Sequence, residues 1–311
     1  SKMIDLNQLL SGLGLTSVPV EAFIGAKLNC KGPLWPELAV NCAGDSQIDQ
    51  VEVRSGNNVH DIIVMLDQGK LHGDFNIKKT AIDYKTEITM GKDDNASKGF
   101  SSGEIIYAKG FNIKFDSDHF DLSNIKHLAG LKLEGAGAVH GSTTGNSAAA
   151  TFEMLLDTQN VFFENFSLGN VSGILEYDKG IMNFSNLNGK INNSTYQGQV
   201  VVDLNQKHIK SQIEIPRFEI NELLSVVSRR FIMPVEVSGL GRAKINVDGP
   251  FQLGKLSYQL NAQMSHGSVV SEPFDILDIK LESNSGEMHI EKLQMTKNQS
   301  LLNMTGISHP D

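Results

Sequence analysis

Apolar and polar residues alternate with a period of two along much of this chain. Residues 255–264 show the pattern most clearly, because every second side chain from Leu256 to Met264 is apolar and those between are polar. Such alternation predicts a β-strand with one apolar and one polar face. The same pattern recurs at three further places: Leu71, Gly73, Phe75 and Ile77; Phe111, Ile113 and Phe115; and Leu277, Ile279 and Leu281.

Short turn signals separate these runs. They are Asp67-Gln-Gly69, Asp178-Lys-Gly180, Asn188-Gly189 and Asn284-Ser-Gly286. Short strands joined by such turns are typical of an antiparallel meander. The predicted fold class is therefore mostly β.

A phrase repeated along the chain sets the predicted organisation. Residues 19–33 and 234–250 each contain Pro-Val-Glu, followed a few residues later by a segment that begins and ends with glycine. We call this segment the glycine line, and residues 135–141 hold a weaker copy of it. The closing glycines Gly32, Gly141 and Gly249 lie 109 and 108 residues apart. A fixed period indicates a repeat architecture.

A short helical phrase precedes each glycine line, at residues 4–10, 120–125 and 218–224. Each has an acidic residue that favours a helix start, followed by Leu or Ile at helical spacing. Each repeat is therefore predicted to consist of a short helix, a turn that contains the glycine line, and a β-meander. We predict repeats over residues 1–117, 118–215 and 216–311, the last one incomplete, within one continuous elongated body.

Composition and charge exclude several classes of protein. Apolar residues make up 40% of the chain, which supports folding, and the net charge is −9 from 27 basic and 36 acidic residues. No basic run interleaves with aromatic residues, so we expect no nucleic-acid partner. No apolar stretch approaches the roughly 18 residues of a membrane span. The sequence opens and closes within repeat-like segments, so we expect it to be part of a longer protein whose membrane anchor lies outside it.

The two cysteines, Cys30 and Cys42, flank the turn sequence Gly32-Pro-Leu-Trp-Pro36. A hairpin centred on residue 36 would place them opposite each other. They are either a cross-strand disulfide of an oxidising compartment or two buried thiols.

Three segments resemble catalytic or ligand motifs without their required context. Residues 99–103 fit G-x-S-x-G around Ser101, but a polar run precedes them and a strand pattern follows, whereas a nucleophile elbow joins a strand to a helix. Gly135, Gly137 and Gly141 are followed by Ser and Thr rather than by the helix that binds pyrophosphate. Residues 116–121 lack the glycine and glutamate of a calcium loop and predict a solvated turn. We expect no enzyme activity, no cofactor and no metal site.

The apolar face of such a meander must be covered. The predicted helices are too few to cover it, which leaves a sandwich, a sheet closed on itself or a sheet curled into a trough. The absence of linkers between the repeats favours the trough. Strands of about ten residues, roughly 33 Å long, can curl around an acyl chain. The predicted lipid-groove residues are Phe111, Ile113, Phe115, Leu256, Tyr258, Leu260, Met264, Leu277, Ile279 and Leu281.

The repeats resemble those of the bacterial AsmA-like and TamB envelope proteins. Residues 238–250, followed by 256–260 and 267–269, carry the resemblance, as do residues 175–180, 187–189 and 196–198. The resemblance implies a periplasmic β-trough, anchored to the inner membrane, that conducts phospholipid towards the outer membrane. It also implies contact with an outer-membrane protein complex, since TamB-like members are linked to outer-membrane protein assembly.

The leading functional hypothesis is bridge-like phospholipid transport through the apolar groove. The alternative is a scaffold whose exposed strand edges assist the assembly of outer-membrane or secreted β-proteins. A third alternative is a spacer that binds neither lipid nor protein clients.

Overall fold

A computed structural model describes residues 3–12, 20–54, 62–66, 68–91, 96–106, 109–128, 132–145, 150–163, 166–222, 236–250, 255–284 and 287–308. Strands account for 83% of these residues and the strand pairs are antiparallel, which confirms the predicted mostly β fold class. The chain forms two compact units: Ser1–Glu164 with Leu175–Lys179, here unit 1, and Asn165–Ile174 with Gly180–Asp311, here unit 2. This division cuts through the second predicted repeat.

The described residues of unit 1 form one short α-helix, one 3-10 helix and an antiparallel sheet. The elements are β1 (Ile4–Asp5), α1 (Leu6–Gly12), β2 (Val20–Lys31), β3 (Ala39–Arg54), β4 (Ile62–Leu66), β5 (Gly69–Lys78), β6 (Ala81–Met90), β7 (Ser97–Ile106), β8 (Gly110–Asp121), a 3-10 helix (Leu122–Asn124), β9 (Ile125–Leu128), β10 (Leu133–Gly145) and β11 (Ala150–Phe163). Strand β2 pairs with β1 and β3, and β5, β6, β7, β8, β10 and β11 continue from β3 in that order. The far end of β3 pairs instead with β4, which pairs with β9.

Unit 2 is a sequential meander. Its strands are β13 (Ile181–Ile191), β14 (Ser194–Asp203), β15 (His208–Glu219), β16 (Val237–Pro250), β17 (Ser257–Val269), β18 (Glu272–Asn284), β19 (Glu287–Lys297) and β20 (Ser300–Ser308). Each strand from β13 to β20 pairs with the next. Strand β12 (Phe166–Asp178) is divided between the two units.

The core of unit 2 lies on one face of its sheet. Phe218 and Met264 are each only 2% exposed, and they belong to a cluster with Ile215, Ala243, Phe274 and Leu277 on four adjacent strands. Among the described residues, half-buried side chains of the sheet and Ile220, from the helical residues 220–222, pack against this cluster. Burial of this kind on a sheet face agrees with a curled sheet. Bulges interrupt the register between Ile215 and Phe218 and between Ser238 and Leu240. Bulges bend a strand and increase its local twist, which supplies the curl.

Each of the three predicted helical phrases contains helical residues, and the phrase at residues 120–125 forms a shorter helix than expected. They form α1, the 3-10 helix at Leu122–Asn124, and a helical turn at residues 220–222, beyond which residues 223 and 224 lie outside the described part of the chain. The prediction that the glycine lines are turns is wrong for most of their residues, which lie inside β2, β10 and β16, but Gly32 begins the hairpin turn after β2. Gly241 shows the reason for a glycine within a strand: a Cβ there would come within 2.6 Å of Phe218 Cζ, so the glycine makes room for a core ring. Gly135 and Gly239 lie at register shifts, as expected of bulge positions.

Two of the predicted turns differ in outcome. Residues 179–180 form the turn between β12 and β13, as predicted. The prediction of a turn at Asn188-Gly189 is wrong, because both residues lie within β13. A Cβ on Gly189 would lie 1.8 Å from Tyr196 Cζ, so this glycine accommodates a cross-strand ring. Asp67, Ser285 and Gly286 of the other two turns lie outside the described residues.

The hairpin of β2 and β3 joins Cys30 and Cys42 in a disulfide. The two residues are directly paired, with their Cα atoms 4.0 Å apart. Of the two alternatives that the sequence left open, the structure therefore has the disulfide.

Candidate functional site: the apolar faces of the sheets

The apolar face of unit 2 is continuous across four strands. The register places Leu260 opposite Ile245 and Leu281, and Ile279 opposite Ala262 and Leu293. None of the residues sharing this face in the middle of β16 to β19 carries a charge. They are Gly241, Ala243, Ile245, Val247, Tyr258, Leu260, Ala262, Met264, Leu277, Ile279, Leu281, Ser283, Met288, Ile290, Leu293 and Met295.

Exposure varies along this face. Leu256, Tyr258, Leu260, Ile279 and Leu281 are half-buried, so part of each side chain is open to a ligand. The remaining two predicted groove residues of unit 2 behave differently: Met264 is 2% and Leu277 6% exposed, and both belong to the core cluster. The candidate surface of unit 2 is therefore the half-buried part of the face, and Met264 and Leu277 form its floor.

Unit 1 has a second apolar face of the same kind. Phe111, Ile113 and Phe115 of β8 are half-buried and lie opposite Ile105, Gly103 and Ser101 of β7. The Phe115 ring packs edge-on against the ring of Phe120, with centroids 5.6 Å apart. The face continues over β6 and β5 through residues such as Ile82, Tyr84, Phe75 and Ile77, again without a charged side chain.

The opposite face carries the charges. In unit 2, Lys244 Nζ lies 3.0 Å from Glu214 Oε1, and Lys292 Nζ lies 3.0 Å from Asp278 Oδ2. Hydrogen bonds from Gln263 and Lys292 lower the pKa of Asp278. Exposed ion pairs of this kind stabilise a fold only slightly. Their importance here is that they keep the polar face charged and hydrated.

Two tyrosines on the apolar faces have their hydroxyl groups engaged by the protein. Tyr196 Oη donates to the carbonyl oxygen of Leu168 at 2.8 Å, and burial raises the pKa of Tyr196 to about 12. Tyr84 Oη is 3.0 Å from Ser101 Oγ, and burial raises the pKa of Tyr84. Both rings therefore present apolar surface rather than an ionisable group.

The G-x-S-x-G serine lies within a strand. Ser101 is in β7, is 7% exposed, and its hydroxyl donates to the carbonyl oxygen of Lys114 at 3.2 Å. The glycines at 135, 137 and 141 are part of strand β10. The prediction of a solvated turn over residues 116–121 is wrong, because these residues complete β8. Pairing with β7 and β10 holds them extended, and Asp116 Oδ1 is 3.3 Å from His140 Nδ1.

Other ligand sites are not evident in the described residues. Unit 1 also has two clefts, of about 280 and 760 Å³, whose linings mix polar, charged and apolar side chains; the larger one includes Phe75 and Tyr84 of the apolar face. No group of three or more His, Cys, Asp or Glu in the described ranges is arranged to hold a metal ion. No helix in the part of the chain that the structure describes has the length and hydropathy of a membrane span.

Each unit also contains a polar contact that pattern reasoning missed. In unit 1, Ser97 Oγ accepts hydrogen bonds from the backbone N–H of Asp121 and from Asn124 Nδ2, both at 2.7 Å. In unit 2, Ser194 Oγ accepts a hydrogen bond from the backbone N–H of Glu219 at 2.9 Å and donates one to Glu222 Oε2 at 2.5 Å. We call these contacts the unit 1 clamp and the unit 2 clamp. The sequence signal for both clamps was the helical phrase, because its second and fifth residues make these contacts. They are Asp121 and Asn124 in unit 1, and Glu219 and Glu222 in unit 2.

No protein-family model, curated protein or solved structure matches this chain.

Proposed function

We propose that this protein conducts phospholipid, with acyl chains held on the apolar faces of its sheets and headgroups left in water. One observation carries the proposal: half-buried aliphatic and aromatic side chains form uncharged faces several strands wide, as around Leu260 and Ile279. Burial of an acyl chain is favourable by about 0.8 kcal/mol per CH₂. Because neighbouring sites on the face are similar, a lipid can move between them with little change in this term.

The resemblance of the repeats to AsmA-like and TamB proteins supports the same proposal. It suggests a periplasmic location between the inner and outer membranes and a membrane anchor elsewhere in the whole protein. The Cys30–Cys42 disulfide agrees with an oxidising compartment such as the periplasm.

The first test is mass spectrometry of an organic extract of the gently purified protein. We expect phospholipid at near-stoichiometric amounts and well above a matched soluble control. Lipid at the level of that control would contradict the proposal.

The second test places a charge on the apolar face. We expect Leu260→Asp to remove most of the bound phospholipid, because an unpaired carboxylate is costly in an apolar site. Asn261→Asp is the matched control, since it adds the same charge one residue away on the exposed polar face. Equal lipid contents in the two variants, with circular dichroism showing both folded, would exclude this face as the lipid site.

A second candidate function, an assembly scaffold, is favoured by the composition of strand β20. Residues 300–308 contain no charged side chain, and Leu301, Leu302, Met304 and Ile307 are 56%, 54%, 47% and 59% exposed. Proteins usually place charges on strands that could pair with another chain, and β20 has none. Photocrosslinking from Asn303 tests this function: β-rich clients should be captured there, and capture insensitive to Leu302→Lys would argue against it.

A further inference from the structure

The tip of the first hairpin carries the most exposed large apolar side chains of the described residues. Trp35, the only tryptophan in the chain, is 86% exposed, and the neighbouring Leu34 is 75% exposed. Full exposure of two adjacent large apolar side chains costs hydrophobic free energy, so such a pair calls for a partner surface.

The base of the tip is restrained. The Cys30–Cys42 disulfide joins the strands below it, and the backbone N–H of Ala39 donates to the carbonyl oxygen of Pro33 at 3.1 Å. Gly32 has φ +142°, and a Cβ there would lie 2.1 Å from the Ala39 carbonyl oxygen, so the two strands meet closely. Pro33 and Pro36 restrict the backbone further. These restraints lower the backbone entropy that docking of the tip would cost.

We propose that this hairpin tip, residues 32–38, docks into the interfacial layer of a phospholipid bilayer. Indole prefers this layer, because its ring is apolar while its N–H still meets water or headgroups. The tip is convex and only seven residues long, whereas a stable protein–protein interface covers about 800 Å² on each partner. A soft lipid surface accepts a small convex probe, and exposed Lys31 at its base can reach lipid phosphates.

This inference rests on the proposed lipid function and extends it, because a tip docked on a bilayer would bring unit 1 to the surface from which it takes up or releases phospholipid. The two proposals fail separately, however. The protein could bind vesicles through the tip even if no phospholipid lay on the apolar faces. It could also carry phospholipid on those faces even if the tip did not bind a membrane.

The single tryptophan makes the test direct. The purified full chain is titrated with zwitterionic phosphatidylcholine vesicles, which avoid repulsion from the net charge of −9. We expect the Trp35 emission to shift to shorter wavelength and to be quenched by brominated phosphatidylcholine. An unchanged emission spectrum in the presence of vesicles would overturn the proposal and leave a protein surface as the partner of the tip.

Vesicle flotation of variants supplies a readout independent of fluorescence. We expect Trp35→Ser to weaken binding by about tenfold or more, from the loss of a buried indole. Val270→Ser is the matched control, because Val270 is also an apolar turn residue and is 63% exposed. Equal flotation of wild type and Trp35→Ser would overturn the proposal. If an organic extract of Trp35→Ser contains as much phospholipid as an extract of the wild type, the apolar faces bind lipid independently of the tip.

Discussion

Each unit fastens a short helical turn to a buried serine, but the two units use different chemistry to do so. In unit 1 the partner of Ser97 is the neutral amide of Asn124, which is only 4% exposed. In unit 2 the partner of Ser194 is the carboxylate of Glu222, which is half-exposed. The backbone part of the contact is the same in both, from Asp121 or Glu219 to the serine.

The difference shows how one position sets the properties of a repeated contact. The fifth residue of the helical phrase decides whether the clamp is neutral and dry or charged and hydrated. Buried neutral networks depend on every hydrogen bond being made. A hydrated carboxylate tolerates the loss of a partner but titrates. We therefore expect the unit 1 clamp to be sensitive to mutation and the unit 2 clamp to be sensitive to acid.

The largest expected effect is that of Gly91→Ala in unit 1. Gly91 has φ +88°, and a Cβ there would lie 2.3 Å from Asn124 Oδ1. Strain and overpacking together should destabilise the clamp by about 2–4 kcal/mol. Hydrogen exchange of peptides covering residues 85–125 measures this loss. Gly69→Ala is the control, because its Cβ would make only ordinary contacts, at 3.7 Å or more. Equal protection from hydrogen exchange in Gly91→Ala and Gly69→Ala would show that the hydrogen bond of the Asn124 side-chain amide does not depend on Gly91.

Removal of each serine compares the two clamps directly. Ser97→Ala removes the acceptor of the buried Asn124 amide and of the half-buried Asp121 N–H, and we expect a loss of about 1–3 kcal/mol. Ser194→Ala should cost less, about 1 kcal/mol, since Glu222 can regain water. Local opening free energies from hydrogen exchange measure both losses. A larger loss in Ser194→Ala would contradict the role that we assign to hydration.

The pH dependence of unit 2 comes next in size. The Ser194 hydroxyl, helped by the backbone N–H groups of Asn193 and Ser194, lowers the pKa of Glu222 below its ordinary value of 4.5. A lowered pKa in the folded state means that the contribution to stability is present above 4.5 and is lost as the pH falls through the folded-state pKa. Exchange protection of residues 190–198, corrected for intrinsic rates, should therefore fall on acidification, while the unit 1 clamp stays protected. Glu222→Gln should abolish this dependence, and its persistence in that variant would assign it to another group.

The smallest expected effect has the opposite sign and lies in unit 1. The hydrogen bond with Asp45, at 2.8 Å, raises the pKa of His72 above 6.5. The contribution of this exposed pair is present below 6.5 and is lost as the pH rises through the folded-state pKa. An NMR titration of the His72 ring should show its pKa fall towards 6.5 in Asp45→Asn. An unchanged midpoint would mean that the pair does not form in solution.

The alternation of apolar residues was enough to predict the mostly β fold and the residues that share a face. Spacing alone placed Leu277, Ile279 and Leu281 on one face of their strand, because side chains alternate sides along a strand, and the register of the structure then places Leu260 opposite Leu281. Turn signals were less reliable: Asn188-Gly189 and residues 116–121 were predicted as turns and lie inside strands. Pairing with two neighbouring strands outweighed the local turn preference there.

The sequence by itself determined which residues alternate, that the apolar faces carry no charge, and that Cys30 and Cys42 can face each other across a turn. These follow from local geometry, which has a period of two in any strand. Only the tertiary structure decided that Met264 and Leu277 are buried while Leu260 stays half-open, that Trp35 is left at an exposed tip, and that Ser97 and Ser194 hold residues more than twenty positions away. Burial and distant hydrogen bonds depend on how strongly the sheet curls and where its bulges fall, and no local pattern encodes that curvature.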